Sequence, residues 1–306
     1  MNNVIAKFVR TAVLPAAITA GLLLSAAPAV AFDFSNLEDL KKVGKAVSIG
    51  SKAMKANREI NQEEEIRIGD GVAARVLGTA PLVDNAALQK YVNRVGRWLA
   101  MQTERPDLPW RFGVIASDDV NAFSTPGGTI LITRGMYSRF RNEGELAGVL
   151  AHEIAHVLER HQLKQIQKSL GNEWKMELVN AVAEDKGNGD AKNIAKAFSA
   201  GTEIFTRGLD KQDEFAADRQ GVVIAARAGY NPYGLVSVLQ TLGDINAQDS
   251  AVALMFKTHP SPSVRLDMLA DAMGEKLDDY AGQVESTKRF IPLKAEAASD
   301  ADREQP

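Results

Sequence analysis

Two of the four histidines in this chain, His152 and His156, stand four positions apart, and Glu153 follows the first of them directly. Residues at that spacing share one face of an α-helix, one turn apart, so both imidazoles can reach a single point. One metal ion is what such a pair holds, with the adjacent glutamate placed to act as a general base. The neighbouring residues predict the helix itself. Asn142-Glu143-Gly144-Glu145 sets a capping residue three positions before a glutamate. Leu146, Val149, Leu150 and Val157 make the following turns apolar, and the helix is expected to run through His161. Two imidazoles do not complete a metal site, so the fold must bring a further ligand from another segment.

A histidine six positions past His156 would be one solution, but that position is Gln162. His161 is one residue short and, on a continuing helix, faces elsewhere, so a structural or capping role is expected for it. The other common solution is a glutamate from a later helix. Glu214-Phe215-Ala216-Ala217-Asp218 fits, because Glu214, Ala217, Asp218 and Gly221 recur at helical spacing. The small Ala217 and Gly221 would let this helix approach the first closely. Asp218 is then placed to accept a hydrogen bond from a ligand histidine or from an arginine. The expected donor set is His152, His156 and Glu214 around one Zn2+ per chain, with Glu153 as the base.

The remaining chain reads as follows. Lys7 and Arg10, the apolar run from Thr11 to Leu24, and Ala29-Val30-Ala31 have the three-part layout of a secretory signal peptide over 1–31, and the run is short for a membrane span. The mature chain would then begin at Phe32 in the periplasm, with no stable span. No cysteine is present, which excludes disulfides, thiolate ligands and a lipid anchor on cysteine. The net charge of −3 becomes more acidic without Lys7 and Arg10, which argues against a nucleic-acid partner. Helices are expected at 36–56, 62–77, 85–101 and from Asp210 to before Gly229. Strands are expected at 110–115, by alternation of Trp110, Phe112 and Val114, and at 129–133, after the Pro126-Gly127-Gly128 turn. Residues 162–190 look helical but polar, with a loop at 186–190, and the tail from Ala295 lacks apolar periodicity.

His152-Glu153-Ile154-Ala155-His156 together with Glu214-Phe215-Ala216-Ala217-Asp218 resembles peptidase family M48. So do Asn121-Ala122-Phe123-Ser124-Thr125-Pro126-Gly127-Gly128, Thr133-Arg134-Gly135, and the stretch from Thr258-His259-Pro260 to Arg265, all in the family order. The resemblance covers roughly Glu63 to Ala272, and by layout it is to soluble periplasmic members. One departure is that Asp210-Lys211 stands where the family often has Ser-Arg. Asp210 can cap the helix as serine would, whereas Lys211 lacks the bidentate fork of an arginine.

The resemblance implies an α+β fold: a helix-dominated zincin domain of the gluzincin type, over 63–275, whose small sheet borders the active-site cleft. A helical segment (32–62) would precede it and a partly disordered tail (276–306) would follow. It implies a metalloendopeptidase acting on misfolded or unassembled envelope proteins, the alternative being an assembly factor with a largely latent zinc site. A peptide would pair in extended form along the Thr129–Thr133 strand, with Asn121, Gly128, Thr129, Ile130 and Leu131 as substrate contacts. Arg265 is expected to pair with a helix carboxylate, Asp218 being one option. His259 has three readings: a plug on the open metal position, as the matching histidine can be in relatives; an oxyanion donor, a role Asn121 could also fill; or a cap on the helix that follows.

Overall fold

The computed structural model describes residues 60–168, 208–246 and 248–293. The expected signal peptide, the helix at 36–56, the loop at 186–190 and the tail from Ala295 lie outside the described residues. Helix α1 (Gln62–Thr79) begins at a capping box: the Glu64 N–H donates to the Asn61 side chain at 3.0 Å, and the Asn61 N–H donates to the Glu64 carboxylate at 3.1 Å. Helix α2 (Ala86–Ala100) starts at Asn85, whose side chain accepts from the Leu88 N–H, and it buries Leu88, Val92, Val95 and Leu99 at helical spacing.

Three strands form one sheet: β1 (Arg111–Ile115), β2 (Ala122–Ser124) and β3 (Thr129–Thr133), in the order β1-β3-β2. β3 runs parallel to β1 and antiparallel to β2. This corrects the expectation that a peptide pairs along Thr129–Thr133. That strand is central and buried throughout, and its backbone bonds go to neighbours on both sides, so Gly128, Thr129, Ile130 and Leu131 have no free edge to offer. The outer edge of β1 is also closed, because α2 lays two amide side chains along it. The Phe112 N–H donates to Asn93 at 3.1 Å, the Val114 N–H donates to Gln89 at 2.9 Å, and Gln89 donates back to the Val114 carbonyl at 2.8 Å. The edge that remains is β2. Its bonds to β3 flank the strand at Thr133 N–H to Asn121 O and Thr125 N–H to Thr129 O. By antiparallel alternation, the backbone groups of Ala122 and Ser124 therefore face away from β3, and of these the Ala122 N–H donates to the Asn121 side chain at 3.0 Å.

After the one-turn helix α3 (Arg134–Tyr137), helix α4 (Glu143–Leu158) runs through the middle of the molecule and is buried from Glu143 to Val157. It ends earlier than expected. Arg160 takes a left-handed φ of 55°, the only positive φ outside glycine among the described residues, and helical turns resume at 161–168. A buried carboxylate 95 positions upstream enforces the break. Glu65 pairs with Arg160 at 2.9 Å and with both Nη atoms of Arg105, and Arg105 donates to the Val157 carbonyl at the end of α4.

Helix α5 (Lys211–Arg227) lies against α4 with very little between them. A Cβ built on Gly221 would stand 3.0 Å from the His152 Cα and N atoms, so the small-residue face read from Ala217 and Gly221 is the contact face. Asp210 occupies the N-cap position of α5 but makes no side-chain cap bond. Its carboxylate meets Lys168 instead, which corrects the capping expectation. Helices α6 (Gly234–Gly243), α7 (Ser250–Thr258) and α8 (Pro262–Met273) complete the helical layer, giving a helix-dominated α+β fold. Residues 276–293 belong to the same core. Gly144 donates its N–H to Glu285, Thr287 and Arg289 reach Glu143, and Phe290 packs on Tyr91 and Tyr137, so the expected boundary at 275 falls too early. Among the described residues, no helix is long and apolar enough to cross a membrane.

Gly221→Val should force α4 and α5 apart. Overpacking of this kind costs about 1–3 kcal/mol, and metal affinity should fall with stability. An unchanged denaturant midpoint for the metal-free chain would show that residue 221 does not set the helix separation.

Candidate metal centre

His152 and His156 point the same way from successive turns of α4, with their Nε2 atoms 3.1 Å apart. Glu214, in the first turn of α5, brings Oε2 to 3.7 Å from His152 Nε2 and Oε1 to 3.5 Å from His156 Nε2. Ligand atoms at tetrahedral-zinc bond lengths stand about 3.4 Å from one another, so the three donors already have the spacing of one coordination sphere. All three side chains are buried, and Glu214 Oε2 has no hydrogen-bond partner in the protein. A buried carboxylate oxygen left without a donor is costly; a cation at the shared point of these three groups removes that cost. The donor set therefore fits a divalent metal.

The electrostatics lead to the same requirement. Burial pushes the Glu214 carboxyl up to about 7, and burial also raises that of Glu153. Burial drives His156 well below the usual histidine range, aided by His152 and His161 beside it. His152 is pulled down by burial and by Arg265, but the Asp218 hydrogen bond and the charges of Asp218 and Glu214 outweigh them and raise it. Several buried anions here compete for positive charge that the side chains supply poorly.

Each ligand histidine has a second contact that fixes its ring. His152 Nδ1 lies 2.9 Å from Asp218 Oδ1, which leaves Nε2 for the metal. Arg265 donates from both Nε and Nη2 to Asp218, at 2.8 Å from Nε, and holds that carboxyl below its ordinary range against the effect of burial. The Asp218–Arg265 pair is thus as read from the sequence. His156 Nδ1 lies 2.9 Å from His161 Nδ1, and His161 Nε2 lies 3.4 Å from Asp213.

Glu153 faces the cavity lined by Asn121, Ala122, Phe123, Ser124, His156, Glu214 and His259. The Ser124 hydroxyl donates to its carboxylate at 2.8 Å, and Gln162 donates to that hydroxyl at 2.7 Å. Sequence reasoning missed both residues. Gln162 was weighed only as a ligand position, whereas it orients the serine that holds the base. Of the expected substrate contacts, Asn121 lines the cavity and Gly128 to Leu131 do not. His259 ends α7, with its Nδ1 2.9 Å from the Thr258 hydroxyl and its Nε2 3.6 Å from Glu214 Oε2. The helix that follows has Ser261 at its N-cap, so the His259 side chain is not a cap but faces the donor cluster. Burial, then Arg265 and His152, bring the His259 imidazole down to about 3, so it stays neutral.

Residues 86–273 match peptidase family M48. The chain is 29% identical over 288 residues to the beta-barrel assembly-enhancing protease of Escherichia coli (strain K12), covering 93% of this chain and 55% of that protein. It thus spans little more than half the length of that relative. It is also similar to the mitochondrial metalloendopeptidase OMA1 of Arabidopsis thaliana, 28% identical over 192 residues, with 62% of this chain and 37% of that protein covered. A third relative is the metalloprotease YcaL of Escherichia coli (strain K12), 24% identical over 229 residues, with 74% and 86% covered.

Glu214→Ala should weaken divalent-metal binding by more than the roughly 10- to 100-fold typical of losing an outer contact. Glu104→Ala, at an exposed acid paired with Arg227, should leave it unchanged. Equal metal stoichiometry in the two variants under chelator competition would remove Glu214 from the ligand set.

Proposed function

The chain belongs to peptidase family M48, and from that membership we propose that it is a zinc-dependent endopeptidase that cleaves misfolded or unassembled proteins of the cell envelope. The carrying observation is the Glu214 carboxylate, buried between two imidazole Nε2 atoms with no hydrogen-bond donor to its Oε2 and beside a second, hydrogen-bonded carboxylate, Glu153. Two nitrogens and one oxygen with an open position is the donor set of a catalytic zinc site. When bound, zinc acidifies a water molecule and polarises the scissile carbonyl.

The chain's own residues do the rest. Glu153 takes a proton from the attacking water and returns it to the leaving amine. Burial raises the carboxyl, which brings it nearer the basicity that task needs. Ser124 holds the carboxylate by its hydroxyl, and Gln162 holds Ser124. The outward edge of β2, with Asn121 at its start, is where an extended peptide would add as a further strand, bringing its carbonyl to the metal. His259, neutral and aimed at the donor cluster, would stand where it hinders access to a metal held by His152, His156 and Glu214. Envelope clients are supported by the signal layout over 1–31 and by the Escherichia coli relative's being named for beta-barrel assembly. On this reading, residues from Phe32 lead into one catalytic domain that extends to 293, in the periplasm. A silent assembly factor would have no use for a base held by two neighbours beside the ligands.

Glu153→Gln should keep stoichiometric zinc and lose about 100- to 10,000-fold in cleavage of an unfolded substrate. Activity retained in that zinc-loaded variant would sink the mechanism. His259→Ala should raise basal cleavage at unchanged zinc content. A fall in turnover at unchanged zinc content would instead assign His259 to the oxyanion.

A further inference from the structure

A histidine that binds metal through Nε2 must carry its proton on Nδ1, and that N–H needs an acceptor that does not rotate away. For His156 the acceptor is not a carboxylate or a carbonyl. It is another imidazole nitrogen, Nδ1 of His161, at 2.9 Å. A ring nitrogen accepts only when it is unprotonated, so His161 must carry its own proton on Nε2. That atom faces the Asp213 carboxylate at 3.4 Å. The tautomers then follow: His156 Nδ1–H donates to His161 Nδ1, the His161 Nε2–H is left facing the Asp213 carboxylate, and the His156 Nε2 lone pair is left for a metal.

We propose that His161, anchored by Asp213, is the positioning residue for the second metal ligand: it selects the ligating tautomer of His156 and fixes its ring rotation. The proposal rests on the reading of His152, His156 and Glu214 as ligands. It gives the two histidines separate supports on one helix, since Asp218 serves His152 and Asp213 reaches His156 through His161, with Glu214 between them in sequence.

The backbone explains how His161 comes to be there. Five positions on in an unbroken helix, it would be turned about 140° around the axis from His156. The left-handed Arg160 ends that course, and a left-handed arginine persists only where its surroundings impose it. Its guanidinium is held by Glu65, a side chain with no exposed surface, which two nitrogens of Arg105 and the Gly127 N–H also approach. The refolded turn carries His161 back over the end of α4, where it is buried against His156. A histidine needed only for packing would not require this register, in which one nitrogen faces a ligand and the other a carboxylate.

The test compares three forms of the mature chain by zinc affinity, read by competition with a chromophoric chelator, and by the melting temperature of the metal-free protein. His161→Phe keeps the ring volume and removes the acceptor; zinc affinity should fall about 10- to 100-fold with little change in metal-free melting temperature. His161→Asn restores an oxygen near the position of Nδ1 and should recover most of that loss. If the phenylalanine variant fails to fold, Asp213→Ala, at a partly exposed site, carries the same test with a smaller loss of affinity. Zinc affinity unchanged in His161→Phe or in Asp213→Ala overturns the proposal. So does a loss that follows the metal-free melting temperature and is not rescued by asparagine. If the wild type itself binds zinc no more tightly than Glu214→Ala, the ligand assignment has failed, which is a separate outcome from unchanged affinity in the His161 variants.

Discussion

Gly221 brings the backbone of α5 against that of α4 at His152, with room for no side chain between them. Every distance in the donor cluster follows from that contact. Glutamate has a short side chain, and Glu214 reaches the Nε2 atoms of His152 and His156 only because its helix lies this near. The same approach brings Asp218, one turn further along α5, to His152 Nδ1. Asp213, just before Glu214, faces the solvent side of the cluster and meets His161. One helix–helix contact therefore delivers a ligand and two supporting carboxylates together.

The ligand helix is in turn held at both ends by buried acids. At its start, Glu143 accepts from Tyr91 and Tyr230, each at 2.8 Å, from Thr287 at 2.6 Å and from Arg289. These donors, led by Arg289, hold its carboxyl down to about 2 although burial alone would raise it. The N-terminal end of a helix also favours a negative charge. At the far end, Glu65 fixes the break at Arg160 from outside the helix. A helix pinned in this way cannot slide along its axis, and a shift of a fraction of a turn would take both histidines out of register with Glu214. The segment past 275 belongs to this arrangement, because Thr287 and Arg289 complete the shell around Glu143.

What could be read from the sequence was whatever depends on short-range spacing. The histidine pair, the small-residue face of α5, the cap at Asn142, and Asp218 as one option for Arg265 each follow from local chemistry or from a demand that a metal would make on charge. What escaped depends on partners far along the chain. Nothing near Arg160 announces a helix end, since Glu65 enforces it from α1. The run Thr129–Thr133 reads as a strand, but its place at the centre of the sheet is decided by parallel pairing with β1, which β-branched residues do not reveal. Ala122-Phe123-Ser124 is too short and too mixed to read as a strand at all, yet it is the edge beside the donor cluster. Ser124 and Gln162 act through each other across 38 positions, a relation that no spacing rule detects.

These placements divide the molecule into a rigid side and a receptive side. His152, Glu153, His156 and Glu214 stand on buried helices, where in a working site a misplacement of about 1 Å would cost much of the rate. On the proposed reading an extended peptide would meet a three-residue strand through the outward carbonyls of Ala122 and Ser124, since the Ala122 N–H is taken by the Asn121 side chain and the Ser124 hydroxyl holds Glu153. Such an edge can pair with only a short length of peptide backbone, and it reads that backbone rather than side chains. A segment already folded into a helix or a sheet has its backbone groups committed elsewhere and cannot pair there. If peptides pair there as proposed, selection at this site would fall on whether a stretch of chain is extended and unpaired, a property that an unassembled protein has and a finished one lacks.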